Sequence, residues 1–191
     1  MPFINQTLTS FKNRLDEDLR MIISGPEGEN SNIVCSFNYP AIKEQIEEFE
    51  KKTEWILPED YEAFLFIHNG CMLFEHKDED GDNVGGGLWL HSLEEIESAY
   101  AYKDMQADEP DNPLPFIPIG SVLDGTLAIS IKKLNAKEPN YLLNFDIPSE
   151  EFSEDEDIQL NFELFLDRYI ISQGNDFWNW TTYTAENYYK L

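Results

Sequence analysis

The chain has 191 residues, of which 38 are acidic and 13 basic, giving a formal net charge of −25 at pH 7. A field of that sign repels nucleic acid and anionic membranes and attracts basic partners, so a nucleic-acid-binding or membrane-binding role is not expected. Aromatic residues make up 14% of the chain, enough apolar mass to build a core and to argue against global disorder. The length suits a single domain with extensions. Cys35 and Cys71, the two cysteines, read as buried reduced thiols. The first residues show no basic stretch followed by an apolar run, and no run of 18 apolar residues occurs. The expectation is therefore a cytoplasmic protein.

Residues 3–23 place Ile4, Leu8, Phe11, Leu15, Leu19 and Ile22 at steps of three and four, which predicts one amphipathic helix. A loop follows, then a short strand over 33–37. From Pro40 a second amphipathic helix carries Ile42, Ile46 and Phe49. The run LPEDYEAFLFIHNG (57–70) reads as a short helix with both ends marked. Pro58 suits the first helical position, Glu59, Asp60 and Glu62 face the positive end of the dipole, and Asn69-Gly70 stops it. CMLFEH (71–76) and GGGLWLH (85–91) read as a hairpin around an acidic turn. Ser92 and Glu95 form a capping box for the next helix. Strands are predicted at 115–121, 126–131 and 141–146, a strongly apolar helix at 158–171, and an aromatic tail beyond it. Helices first, then strands interleaved with helices and joined by short turns, make the class α+β.

Tests for catalytic and metal chemistry find no complete motif. His68, His76 and His91 lie near Cys71 but without a recurring ligand spacing, so zinc is disfavoured and no cofactor is expected. Asp78, Asp80 and Asp82 alternate as in a calcium loop. The required sixth-position Gly and twelfth-position Glu are replaced by Asn83 and Trp89. The glycine spacing at 120–125 lacks the lysine of a phosphate loop, and no serine sits in a G-x-S-x-G elbow. A metal-dependent enzyme built on the three histidines stays only as a remote alternative.

The order of motifs carries more. Phe49-Glu50, Leu57-Pro58, Asp60-Tyr61, Phe64-Leu65 and Asn69-Gly70 are followed by Gly87-Leu88-Trp89-Leu90 with Ser92 to Ile96. Phe116-Ile117-Pro118-Ile119-Gly120 and Phe162 to Leu166 come next. Together they resemble the SUKH superfamily, the Smi/Knr-like proteins, over roughly 33–171. Residues 1–32 read as an N-terminal helical extension and 172–191 as an aromatic tail packed on the body. The resemblance implies a central, twisted, largely antiparallel sheet flanked by helices, and binding without catalysis. Many bacterial members look like immunity proteins that neutralise a toxin, often a nuclease, and fungal relatives act as regulatory scaffolds. The expected partner is a basic protein, such as a toxin domain, and the oligomeric state is left open. Two acidic patches are candidate contacts. One comprises Glu75, Asp78, Glu79, Asp80 and Asp82, the other Glu150, Glu151, Glu154, Asp155, Glu156 and Asp157.

Overall fold

A computed structural model describes residues 3–24, 28, 30–78, 81–106, 114–123, 125–146 and 157–179. Its strands are β1 (Arg20–Ser24), β2 (Asn30–Phe37), β3 (Cys71–Lys77), β4 (Asn83–Gly85), β5 (Leu88–Leu90), β6 (Phe116–Val122), β7 (Gly125–Ser130) and β8 (Leu142–Phe145). They form one open sheet in the order β1-β2-β3-β5-β6-β7-β8, with β4 also on β3. Every pairing is antiparallel. The helices are α1 (Ile4–Lys12), α2 (Lys43–Thr53), α3 (Glu59–Leu65), α4 (Leu93–Gln106), α5 (Ile131–Asn135) and α6 (Phe162–Ile171). The molecule is a single α+β domain, as its sequence predicts.

One face of the sheet carries the main core. Ile33, Leu73, Leu88, Leu90, Ile117, Ile129 and Leu142 meet Ile4, Leu8 and Phe11 of α1, Ile46 and Phe49 of α2, Tyr61 and Phe64 of α3, and Phe162, Phe165 and Tyr169 of α6. A smaller cluster lies on the opposite, back face, where Leu114, Phe116, Ala128, Leu143 and Phe145 pack with Tyr100 of α4. Beyond α6, Phe177 and Trp178 pack against Phe165 with tilted rings, at 5.9 and 5.6 Å between centroids. The tail therefore packs on the body this far, and residues 180–191 lie outside the described residues.

The 57–70 motif works as a set of clasps. The Glu50 carboxylate accepts the Leu57 N–H at 2.8 Å, pinning the link between α2 and α3. Asp60 accepts the Tyr141 hydroxyl on one oxygen and the Glu163 N–H on the other at 3.1 Å. The Tyr141 oxygen in turn accepts the Phe162 N–H at 3.2 Å. One carboxylate thus ties α3 to β8 and to the start of α6, where a negative charge also suits the helix dipole.

Four expectations need correction. The helix predicted over 3–23 ends at Lys12, and its second half is the edge strand β1. Asp16 breaks it, because its carboxylate accepts the Asp18 and Arg20 N–H groups at 3.0 and 2.8 Å, and Leu19 takes φ 59°. The β-branched Ile22-Ile23 then pairs with β2, and the helical spacing of Leu15, Leu19 and Ile22 is a coincidence. Both α1 and β1 belong to the common core and sheet. Pro58 is the cap of α3 rather than its first residue, and the helix closes at Leu65, a turn before Asn69-Gly70. The 85–91 strand is two strands, because Gly85, Gly86 and Gly87 all take positive φ. The 158–171 helix begins only at Phe162, where the Asn161 side chain accepts the Leu164 N–H at 3.0 Å. The one-turn helix α5 has too short an apolar pattern to be predicted.

Candidate functional site

Strand alternation builds the back face as it builds the core. Ser36, Met72, Trp89, Ser121, Thr126 and Phe145 are successive cross-strand partners. They make one row across the sheet. At its Phe145 end the row enters the smaller core. Three strands away in the same row, Trp89 stands 43% exposed. The neighbouring row runs Arg20, Val34, Glu75, and Ile22 sits beside Asn32. A bulge keeps both halves in phase. Phe74 takes φ 59°, stays in the core with Leu73, and returns Glu75 to the back face. The half formed by β1, β2, β3 and β5 is therefore a mixed surface of Ile22, Val34, Met72 and Trp89 with polar neighbours. It is the candidate interface.

Two close backbone approaches set Trp89. A Cβ on Gly120 would come within 2.2 Å of the Trp89 carbonyl oxygen, and one on Gly87 within 2.3 Å of the Leu73 oxygen. Only glycine lets β6 and the start of β5 come this near. His91 lies edge-on to the Trp89 ring at 5.1 Å, with its Nδ1 3.4 Å from the Pro118 oxygen.

The acidic turn borders this surface. Glu75 pairs with Lys77 at 3.3 Å on the same face. Asp78 shapes the turn itself, its carboxylate accepting the Asp82 N–H at 2.8 Å and its N–H donating to the Asp82 oxygen at 3.0 Å. A cleft of about 570 Å³ opens between this turn and β1, lined by Asp16, Arg20, Ile22, Asn32, Lys77 and Asp78 among others. Asp78 and Asp82 are thus brought together, Glu75 joins them only through the neighbouring Lys77, and Glu79 and Asp80 lie outside the described residues. Asp157 sits elsewhere. It bridges to Leu143 on the β8 edge and pairs with Lys133. That edge is four strand steps from β3, roughly 19 Å. Glu150, Glu151, Glu154, Asp155 and Glu156 lie outside the described residues. Trp89 and Met72 were missed by the charge-based reading, although L-W-L in a strand already places the Trp opposite two core leucines.

The histidines do not converge. His68 holds its Nδ1 2.7 Å from the Asn38 oxygen, and its Nε2 meets the Lys12 ammonium. Burial, and then Lys12, lower its pKa. His76 pairs across the sheet with Gly85. Among the described residues no three His, Cys, Asp or Glu side chains are grouped to hold a metal ion. Burial pushes the Cys35 thiol up to about 11 and raises Cys71 as well. Among the described residues no helix is long and apolar enough to cross a membrane.

The model of one family, SMI1/KNR4 (SUKH-1), matches residues 40–168, which include the clasped 57–70 motif. The chain belongs to the SMI1/KNR4 family. Similar proteins in Bacillus subtilis (strain 168) include the uncharacterized protein YobM, 41% identical over 190 residues, which span 98% of this chain and 97% of that one. The uncharacterized protein YnaB is 28% identical over 155 residues, 81% of this chain and 93% of its own. The family match begins at residue 40, so α1, β1 and β2 lie before the matched segment, whereas the similarity to YobM extends over 98% of this chain.

Proposed function

We propose that this SMI1/KNR4 protein is a non-catalytic, cytoplasmic immunity protein that neutralises a basic toxin domain, of nuclease type, by direct binding. The observation that carries this reading is the half of the back face that no described helix covers, where Trp89 and Met72 offer apolar anchors beside a charged turn. Exposed aromatic anchors ringed by polar groups are the usual energetic centre of a protein interface. The net charge of −25 supports the choice of partner, because it speeds encounter with a cationic surface and opposes phosphate.

The test is co-purification of the tagged protein from its own cells at low salt, followed by mass spectrometry. A single basic partner that is released by salt, and whose toxicity the protein suppresses on co-expression, is the expected result. Recovery of several signalling or cell-wall proteins without toxicity rescue would replace the immunity reading with a regulatory scaffold.

A further inference from the structure

A second surface lies away from the open half-sheet, between the end of α2 and α4. Lys52, Glu54, Trp55, Glu97, Tyr100 and Ile131 are among the residues lining a groove of about 560 Å³. Its walls are aromatic. Trp55 and Tyr100 meet edge-to-face at 4.8 Å, and Trp55 is backed by Phe49 at 5.9 Å, which fixes the indole. The Tyr100 oxygen accepts the Leu114 N–H at 3.0 Å, so its ring is held too. Two acidic residues, Glu54 at the left-handed end of α2 and Glu97 of α4, line the same groove. A cation already sits there, because the Lys52 ammonium is bound by Glu97. That lysine is 65% exposed and its partner 31%, so the pair is weakly held and can be displaced.

We infer that this groove takes an arginine side chain from a basic protein partner. A guanidinium is planar and can lie on an aromatic wall while its N–H fork engages a carboxylate. Lysine has the charge but neither the plane nor the fork. The charge complementarity is that of the whole chain, focused on a site with ready-made apolar walls. The inference deepens the binding reading and rests on it for the basic character of the partner.

The experiment follows the tryptophan indole N–H signals by nitrogen-15 NMR during titration with hexa-arginine or hexa-lysine peptide. The Trp55 and Trp89 signals are assigned with Trp55→Phe and Trp89→Phe. The Trp55 signal is expected to move at about tenfold lower concentration of the arginine peptide than of the lysine peptide. The Glu54→Gln/Glu97→Gln double variant is expected to raise that concentration about tenfold, the scale of a charge-assisted hydrogen bond. Removing the same charge on the exposed start of α2, by Glu44→Gln/Glu47→Gln, should leave it within about twofold. Both charge-removing double variants leave the aromatic walls unchanged, so loss of fold does not enter the comparison. Equal response to both peptides, or equal loss in the two double variants, overturns the groove as an arginine site. Movement of Trp89 with a stationary Trp55 also overturns it, while leaving binding at the open half-sheet intact.

Discussion

The row that ends in Phe145 and the row that presents Trp89 are one and the same, yet its two stretches have opposite fates. Phe116 and Phe145 meet at 4.7 Å under α4. Trp89, three strands away in the same row, meets solvent. Alternation decides which face a side chain joins. Only what packs on that face decides whether it becomes core or contact surface. The difference teaches that an aromatic in a strand is uninformative until its cover is known.

The largest expected effect breaks the covered end. Phe145→Ala should destabilise the fold by about 3–5 kcal/mol in urea unfolding, the range for a buried Phe truncated to Ala. A loss below about 1 kcal/mol would mean that the second core is not real. Next, Gly120→Ala should cost about 1–3 kcal/mol, because backbone must move to admit the methyl group. The same variant should shift the Trp89 fluorescence, and an unchanged spectrum would separate Trp89 from the β5–β6 approach. Trp89→Ala sharpens the contrast. Its stability should change by less than about 1 kcal/mol, while affinity for the basic partner falls by roughly 30-fold or more. The reverse pattern would make Trp89 a core residue.

The smallest effect concerns His68, on the opposite, covered face. Its folded pKa is lowered from 6.5, chiefly by burial. The unfolded chain therefore takes up this proton first. The stability linked to His68 is present above about pH 6.5 and is lost as pH falls through the folded value. Urea midpoints of the native chain and His68→Gln should converge toward pH 5. Parallel curves from pH 7.5 to 5 would rule out that linkage.

Much of the fold was legible. The capping box at Ser92 and Glu95 is present with both bonds, 2.7 and 3.3 Å. The motif residues Leu57, Tyr61 and Phe64 are core. β1 was not legible because pairing with β2 overrides a local helical spacing, a cost that no short window of sequence contains. The candidate site was half legible. Charge marks Glu75, Asp78 and Asp82, but not that Glu75 is neutralised by Lys77 or that Asp78 serves its own turn. The exposure of Trp89 depends on α4 covering one half of the back face and not the other, which only three dimensions reveal.

The sheet follows chain order almost without exception, and its helices are inserted between neighbours. Each strand can therefore add to the one made before it as the chain emerges, through closures that span short stretches of sequence. One piece cannot. The N–H groups of Phe3 and Ile4 bond Glu163, and the Thr7 hydroxyl donates to Asp167 at 2.9 Å, partners that arrive some 160 residues later. The first helix made is thus among the last to dock. Until α6 appears, Ile4, Leu8 and Phe11 lack part of their cover, so a nascent chain stopped before residue 162 should be recognisable by protease cleavage within its first dozen residues.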